Sequence, residues 1–162
     1  MGGIKMQDGS VILVHDGMLL KPILKYTGSN LVHAAVVLFV NGQPYGYEAT
    51  WPRVRRLPWD EFQAYLTTNC QRYLRHGAGW VILQPKVVFT VGQLTAMKAF
   101  ANSQLGRRYM LRGWWEQHEV RGTHCSQYVG NVLEKSGLIT SANYRESPGS
   151  LCQKIQPFYE ET

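Results

Sequence analysis

The chain has 162 residues, of which 44% are hydrophobic and 17% charged. That length suits one domain, which buries about two thirds of its unfolded surface and folds without disulfide or metal staples. The net charge of +6 and pI near 9.3 fit a polyanionic partner (nucleic acid, anionic lipid or wall polymer) or simply a soluble basic surface. No internal repeat or low-complexity tract is present, and the longest apolar run, Leu31 to Val40, is far short of a membrane span.

In chain order, Ser10 to His15 is a β-rich run after Asp8-Gly9, hence a first strand. Residues 19–26, with Pro22, read as a short helix or an irregular crossover, followed by a loop over Thr27 to Asn30. His33 to Val40 is a second strand. Asn41-Gly42 is a two-residue hairpin signal, and Gln43 to Thr50 returns. With that turn, Val40 faces Gln43, Ala35 faces Glu48 and His33 faces Thr50. His33 and Glu48 then share a face as diagonal neighbours.

Trp51 to Leu57 alternates behind a proline and reads as an edge strand. Pro58-Trp59-Asp60-Glu61 opens a helix, and Gly79 to Gln84 is a further strand. Thr90 caps a helix running to about Leu105, with Val91, Leu94, Met97, Ala101 and Leu105 as its apolar stripe. A helix from Cys125 to Lys135 follows, with Cys125, Val129, Val132 and Leu133 inward. The tail holds a short helix through Ile155. The whole reads as one α+β domain, residues 1–162, with an antiparallel sheet packed against helices.

The cysteines Cys70, Cys125 and Cys152 cannot all pair, and no CxxC occurs, so a reduced compartment is the simpler expectation. The N-terminus lacks the charged-then-apolar layout of a secretory signal. Met6 stands where a myristoylation motif needs Ser or Thr. The expected location is therefore cytoplasmic, or that of a phage-derived protein or one exported by another route.

Cys125 stands at the mouth of a helix, where unpaired N–H groups and the helix dipole favour a thiolate. The same N–H groups can hold an oxyanion. His33 would exchange the proton, and Glu48 would fix the imidazole tautomer. Taken singly, each residue has a plainer reading: a small buried thiol, a satisfied strand histidine, and a carboxylate paired with a nearby arginine. Glu116, His118, His124 and Cys125 match no zinc spacing, so no metal is expected. No phosphate-cradling glycine loop is present and no cofactor is expected. His15 and His76 read as packing or surface residues. Trp114 and Trp115 are flat apolar side chains suited to a substrate groove or to plain packing.

Gly9 to Val14, Thr27-Gly28-Ser29-Asn30-Leu31-Val32-His33, Tyr47-Glu48-Ala49, the Val54 to Pro58 segment, Gly106-Arg107-Arg108-Tyr109 and Cys125-Ser126-Gln127-Tyr128-Val129 follow one another in a distinctive order. In this order the chain resembles the YiiX-like proteins, circularly permuted relatives of the NlpC-type cell-wall peptidases among the papain-like hydrolases. The resemblance covers about residues 9 to 138. It implies a papain-like domain with Cys125 as nucleophile, His33 as base, Glu48 as third member and Tyr109 bordering the site. The chain departs from the family pattern at Val32 (usually serine), Ala35 (usually glycine) and Gln127 (often acidic).

The expected function is a cysteine peptidase or amidase acting through a thioester. Its substrate would be a peptide or acyl amide, with peptidoglycan stem peptides a candidate. Two rivals stand beside it. One is a lipid acyltransferase or phospholipase of the same superfamily, against which the absence of an "NC-E-H-F" nucleophile motif counts. The other is a non-catalytic basic module for wall polymer or nucleic acid; no specific nucleic-acid motif supports it.

Overall fold

The computed structural model describes residues 6–18, 30–110, 122–140 and 142–162. A strand that is apolar at nearly every position must be covered on both faces. β1 (Val11–His15) meets that condition: all five residues are buried. It pairs antiparallel with β2 (Leu31–Val40) on one side and with β5 (Gly79–Pro85) on the other. β3 (Gln43–Ala49), β4 (Val54–Pro58) and β6 (Tyr159–Glu161) complete one six-stranded sheet in the order β4-β3-β2-β1-β5-β6, antiparallel throughout.

The hairpin register is the one that Asn41-Gly42 predicts. Asn41 and Gly42 both have positive φ, at 50° and 78°, as a tight hairpin turn requires. Val40 pairs with Gln43 and Val36 with Tyr47. β4 is an edge strand, also as expected.

Side-chain alternation divides the core into two layers. Val11, Leu13, Ala34, Val36, Leu38 and Tyr47 pack with Met97 and Ala101 of α2 (Val91–Ser103), Val129, Val132 and Leu133 of α3 (Cys125–Glu134), and α4 (Pro148–Ile155). On the other face Ile12, Val14, Ala35 and Val37 meet Phe62, Leu66 and Cys70 of α1 (Trp59–Tyr73). At Gly46 α1 packs tightly against the sheet. A Cβ there would lie 2.4 Å from the ring carbons of Phe62.

Three expectations differ from the structure. In α2 only Met97 and Ala101 are buried, Val91 is 83% exposed, and the helix stops at Ser103. Spacing alone does not say which turns touch the sheet. α3 is buried almost all round, Ser126 and Gln127 included, rather than along one stripe. After α4 the chain makes a 3₁₀ turn (Gln156–Phe158) and then adds β6, whose three residues are too short to show alternation. The crossover reading of residues 19–26 lies outside the described residues.

Candidate functional site

The site begins with the hairpin. Continuing the β2–β3 register one step past Val36 and Tyr47 sets Ala35 opposite Glu48 and leaves His33 on the same face. The diagonal closes: His33 Nε2–H donates to Glu48 Oε2 at 2.6 Å. β4 supplies the next layer, with Arg55 directly across from Glu48. Its Nε and Nη2 both donate to Glu48 Oε1, at 2.9 and 2.8 Å. The guanidinium lies 4.3 Å from the centre of the Tyr65 ring. Glu48 has no exposed side-chain surface, so its charge persists only because both oxygens are occupied by donors. Burial alone would raise the Glu48 carboxyl; the hydrogen bonds and positive charge of His33 and Arg55 hold it below its usual range.

Cys125 enters from the far end of the sequence, as the first residue of α3, and is 5% exposed. Its side chain interacts with His33, and each favours the charged form of the other. With Nε2 taken by Glu48, Nδ1 is the ring nitrogen left for the sulfur. Burial would lower the His33 pKa, but hydrogen bonds to Cys125 and Glu48 and their negative charge raise it well above the usual value. Burial would likewise raise the Cys125 thiol. The neighbouring rings of His124 and His33, the charge of His33 and the Ser126 hydroxyl, whose Oγ is 3.6 Å from the sulfur, hold it well below the usual value. Both shifts favour a charged thiol beside a charged imidazole. The thiols of Cys70 and Cys152 move the other way through burial, Cys152 up to about 11.

His124 is a residue whose place the sequence concealed. Facing away from Cys125 would follow if both lay within the helix; instead His124 is the N-cap of α3. Nε2 lies 3.1 Å from the Tyr144 carbonyl, which only accepts, so Nε2 carries a hydrogen. Nδ1 accepts from the Gln127 N–H at 3.5 Å. A hydrogen bond from Nδ1 to the sulfur would compete for that same nitrogen, so His33 is the less encumbered partner of the thiolate. Tyr128 N–H is satisfied by the His124 carbonyl. The N–H groups of Cys125 and Ser126, at the helix start, have no acceptor within the helix itself.

Tyr109 lies beside these groups. Its N–H donates to the Pro52 carbonyl at 3.0 Å, and its neighbours Arg108 and Met110 exchange backbone hydrogen bonds with Thr123. Burial, then the charges of Cys125 and Glu48, push its phenol upward, so it is a neutral hydroxyl in the field of both. Trp114, Trp115, Glu116 and His118 lie outside the described residues. A cleft of about 260 Å³ between β2 and α1 opens beside His33 and is also lined by Val32, Thr50, Tyr65 and Cys70; Cys125 does not line it. His15 is a packing residue, with its Nδ1 2.7 Å from the Gly17 carbonyl.

No protein-family model matches the chain, and no curated protein does. Solved structures with a like fold are known. The fold is like that of YiiX. The crystal structure of that Escherichia coli O157:H7 metalloprotein superposes with a TM-score of 0.53 at 18% identity, over 80% of this chain and 66% of the YiiX chain. The chain thus spans just under two thirds of YiiX, and at this identity the likeness concerns the fold alone. Among the described residues, no helix is long and apolar enough to cross a membrane, and no three His, Cys, Asp or Glu side chains converge as metal ligands.

Proposed function

We propose that this chain is a thiol hydrolase of the permuted papain-like type, cleaving amide bonds through Cys125, His33 and Glu48. One observation carries the reading: a thiol at a helix start, lowered in pKa by the His33 imidazole among its neighbours, where that imidazole is hydrogen-bonded to a buried carboxylate held in turn by an arginine. Perturbed groups of this kind cluster at functional sites.

The Cys125 thiolate attacks the carbonyl carbon, and the oxyanion forms against the Cys125 and Ser126 N–H groups. The tetrahedral intermediate collapses as His33 Nδ1–H protonates the leaving nitrogen. The amine departs and a thioester remains. Water then attacks, giving its proton to His33. Collapse releases the acid and restores the thiolate and imidazolium. Glu48 keeps the proton on Nε2 throughout, and Arg55 keeps Glu48 ionised.

YiiX is described as a metalloprotein, but the described residues here do not fit a metal at this site. Both Glu48 oxygens are occupied by His33 and Arg55, and among the described residues no three His, Cys, Asp or Glu side chains come together as ligands. Substrates suited to the site are peptide or acyl amides, with peptidoglycan stem peptides first among those to try. Incubation with purified murein and with N-acyl peptides, read by mass spectrometry against Cys125→Ala, tests the reading. Product formation that survives Cys125→Ala would sink it.

A further inference from the structure

Two arginine clusters that are far apart in the sequence meet on one edge of the sheet. The turn after α2 hydrogen-bonds along the run leading into β4. Val54 N–H donates to the Arg107 carbonyl at 2.8 Å and Gly106 N–H to the Val54 carbonyl at 2.9 Å. Arg53 and Arg108 form an antiparallel bridge pair.

The members of the two clusters do different work. Arg55 is used by Glu48. Arg56 donates to Tyr47 Oη and Asn102 Oδ1, both at 3.1 Å. Arg107 donates to Gln104 Oε1 and the Gly122 carbonyl. Arg53 and Arg108 are exposed, and among the described residues neither is ion-paired. Like charges directly opposite on paired strands repel and cost stability. A fold gains nothing from such a pair; a ligand with negative charge does. Arg53 is also held in place, with its Nη1 donating to the Gly106 carbonyl at 3.0 Å.

The position joins this pair to the thiol site. Arg53 precedes Arg55 by two residues, so alternation puts it on the face that carries Arg55, Glu48 and His33. Arg108 precedes Tyr109, and its carbonyl accepts from Thr123 N–H at 3.0 Å, two residues before Cys125. Both arginines therefore sit on segments that lead directly to the site, one into β4 beside Glu48 and the other beside the run that enters α3 at Cys125.

We propose that Arg53 and Arg108 form a subsite for the carboxylates of an acidic peptide substrate. Paired guanidinium forks match carboxylates in shape as well as charge. The proposal rests on the reading of Cys125 as a peptide-cleaving thiol, and its test reads binding without turnover.

The full chain carrying Cys125→Ala is titrated into fluorescein-labelled oligoglutamate, into oligoglutamine and into a short DNA duplex, with fluorescence anisotropy as the readout. Oligoglutamate is expected to bind, more weakly as salt rises from about 50 to 200 mM, while oligoglutamine does not bind. Arg53→Gln with Arg108→Gln is expected to weaken oligoglutamate binding roughly tenfold, and the paired Arg→Lys variants to recover part of it. Because the two charges repel, Arg108→Gln alone is expected not to lower the melting temperature, which a structural role would require. Undiminished oligoglutamate binding by the double Gln variant overturns the proposal. So does DNA binding that is tighter than peptide binding and lost in the same variant. An inert Cys125 in the unmutated chain, with arginine-dependent oligoglutamate binding intact, would remove the hydrolase reading and still support the subsite.

Discussion

Replacing Glu48 by glutamine removes one charge and almost no volume. In the native site Oε1 takes two hydrogen bonds from Arg55 and Oε2 takes one from His33. A guanidinium only donates, so in Glu48→Gln the amide oxygen stays with Arg55 and the amide NH₂ turns to His33. That NH₂ group can donate only to a bare ring nitrogen. Nε2 therefore gives up its hydrogen, and the ring is left neutral with its one hydrogen on Nδ1, no longer a cation beside the sulfur. A hydrogen bond to a charged group contributes about 1.5–3 kcal/mol, so at 1.36 kcal/mol per unit the His33 pKa drops by about 1–2 units. The thiolate loses the same counter-charge, and the Cys125 pKa rises by a comparable amount.

The sign is definite. A thiol whose pKa is depressed in the folded protein stays reactive as pH falls past the usual thiol range near 8.5, and loses reactivity only below its own lowered pKa. The assay is the rate of Cys125 alkylation by iodoacetamide as a function of pH, read by intact-mass spectrometry. Glu48→Gln is expected to move the midpoint upward by about 1–2 units and, on the proposed mechanism, to cut turnover on the order of 10⁴, as loss of the correct tautomer does in a Ser-His-Asp triad. Superimposable pH–rate profiles for the two proteins would show that Glu48 does not govern the imidazole.

Other consequences follow from the same geometry. Near pH 7 iodoacetamide is expected to modify Cys125 well ahead of Cys70 and Cys152, whose thiols are both raised; peptide mapping of a partial reaction that finds Cys70 first would contradict the assigned pair. His33→Ala is expected to raise the midpoint of that reaction toward an ordinary thiol, since it removes the principal counter-charge. His124→Ala is expected to cost about 1 kcal/mol by urea denaturation through loss of the α3 cap, and His124→Asn to restore most of it. Gly46→Ala drives a methyl group into the buried Phe62 ring and is expected to destabilise by about 1–3 kcal/mol, with equal stability counting against the tight α1–β3 contact.

The pairing of His33 with Glu48 was legible because one local signal, Asn41-Gly42, fixes the register, and register fixes which side chains share a face. The position of Cys125 at a helix start was legible from the apolar spacing that begins there. What the sequence withheld depends on contacts between distant segments. Nothing in Arg107-Arg108-Tyr109 announces that it lies along Pro52-Arg53-Val54, since that match is made by backbone groups common to every residue. The cap role of His124 was hidden because histidine is an uncommon N-cap, although the helix itself begins at Cys125 as expected. β6 left no pattern at all: three residues cannot show a period of two.

That short final strand has a practical consequence. β6 covers the outer side of β5 through Tyr159 to Glu161, and the Tyr159 hydroxyl reaches across to the Gly9 carbonyl at 2.9 Å. Trimming residues 159–162 would bare a row of unmatched amides beside an apolar strand, an invitation to intermolecular stacking. Such a shortened protein is expected to self-associate on concentration, and fusion partners are better joined after Thr162 through a flexible spacer than in place of these residues.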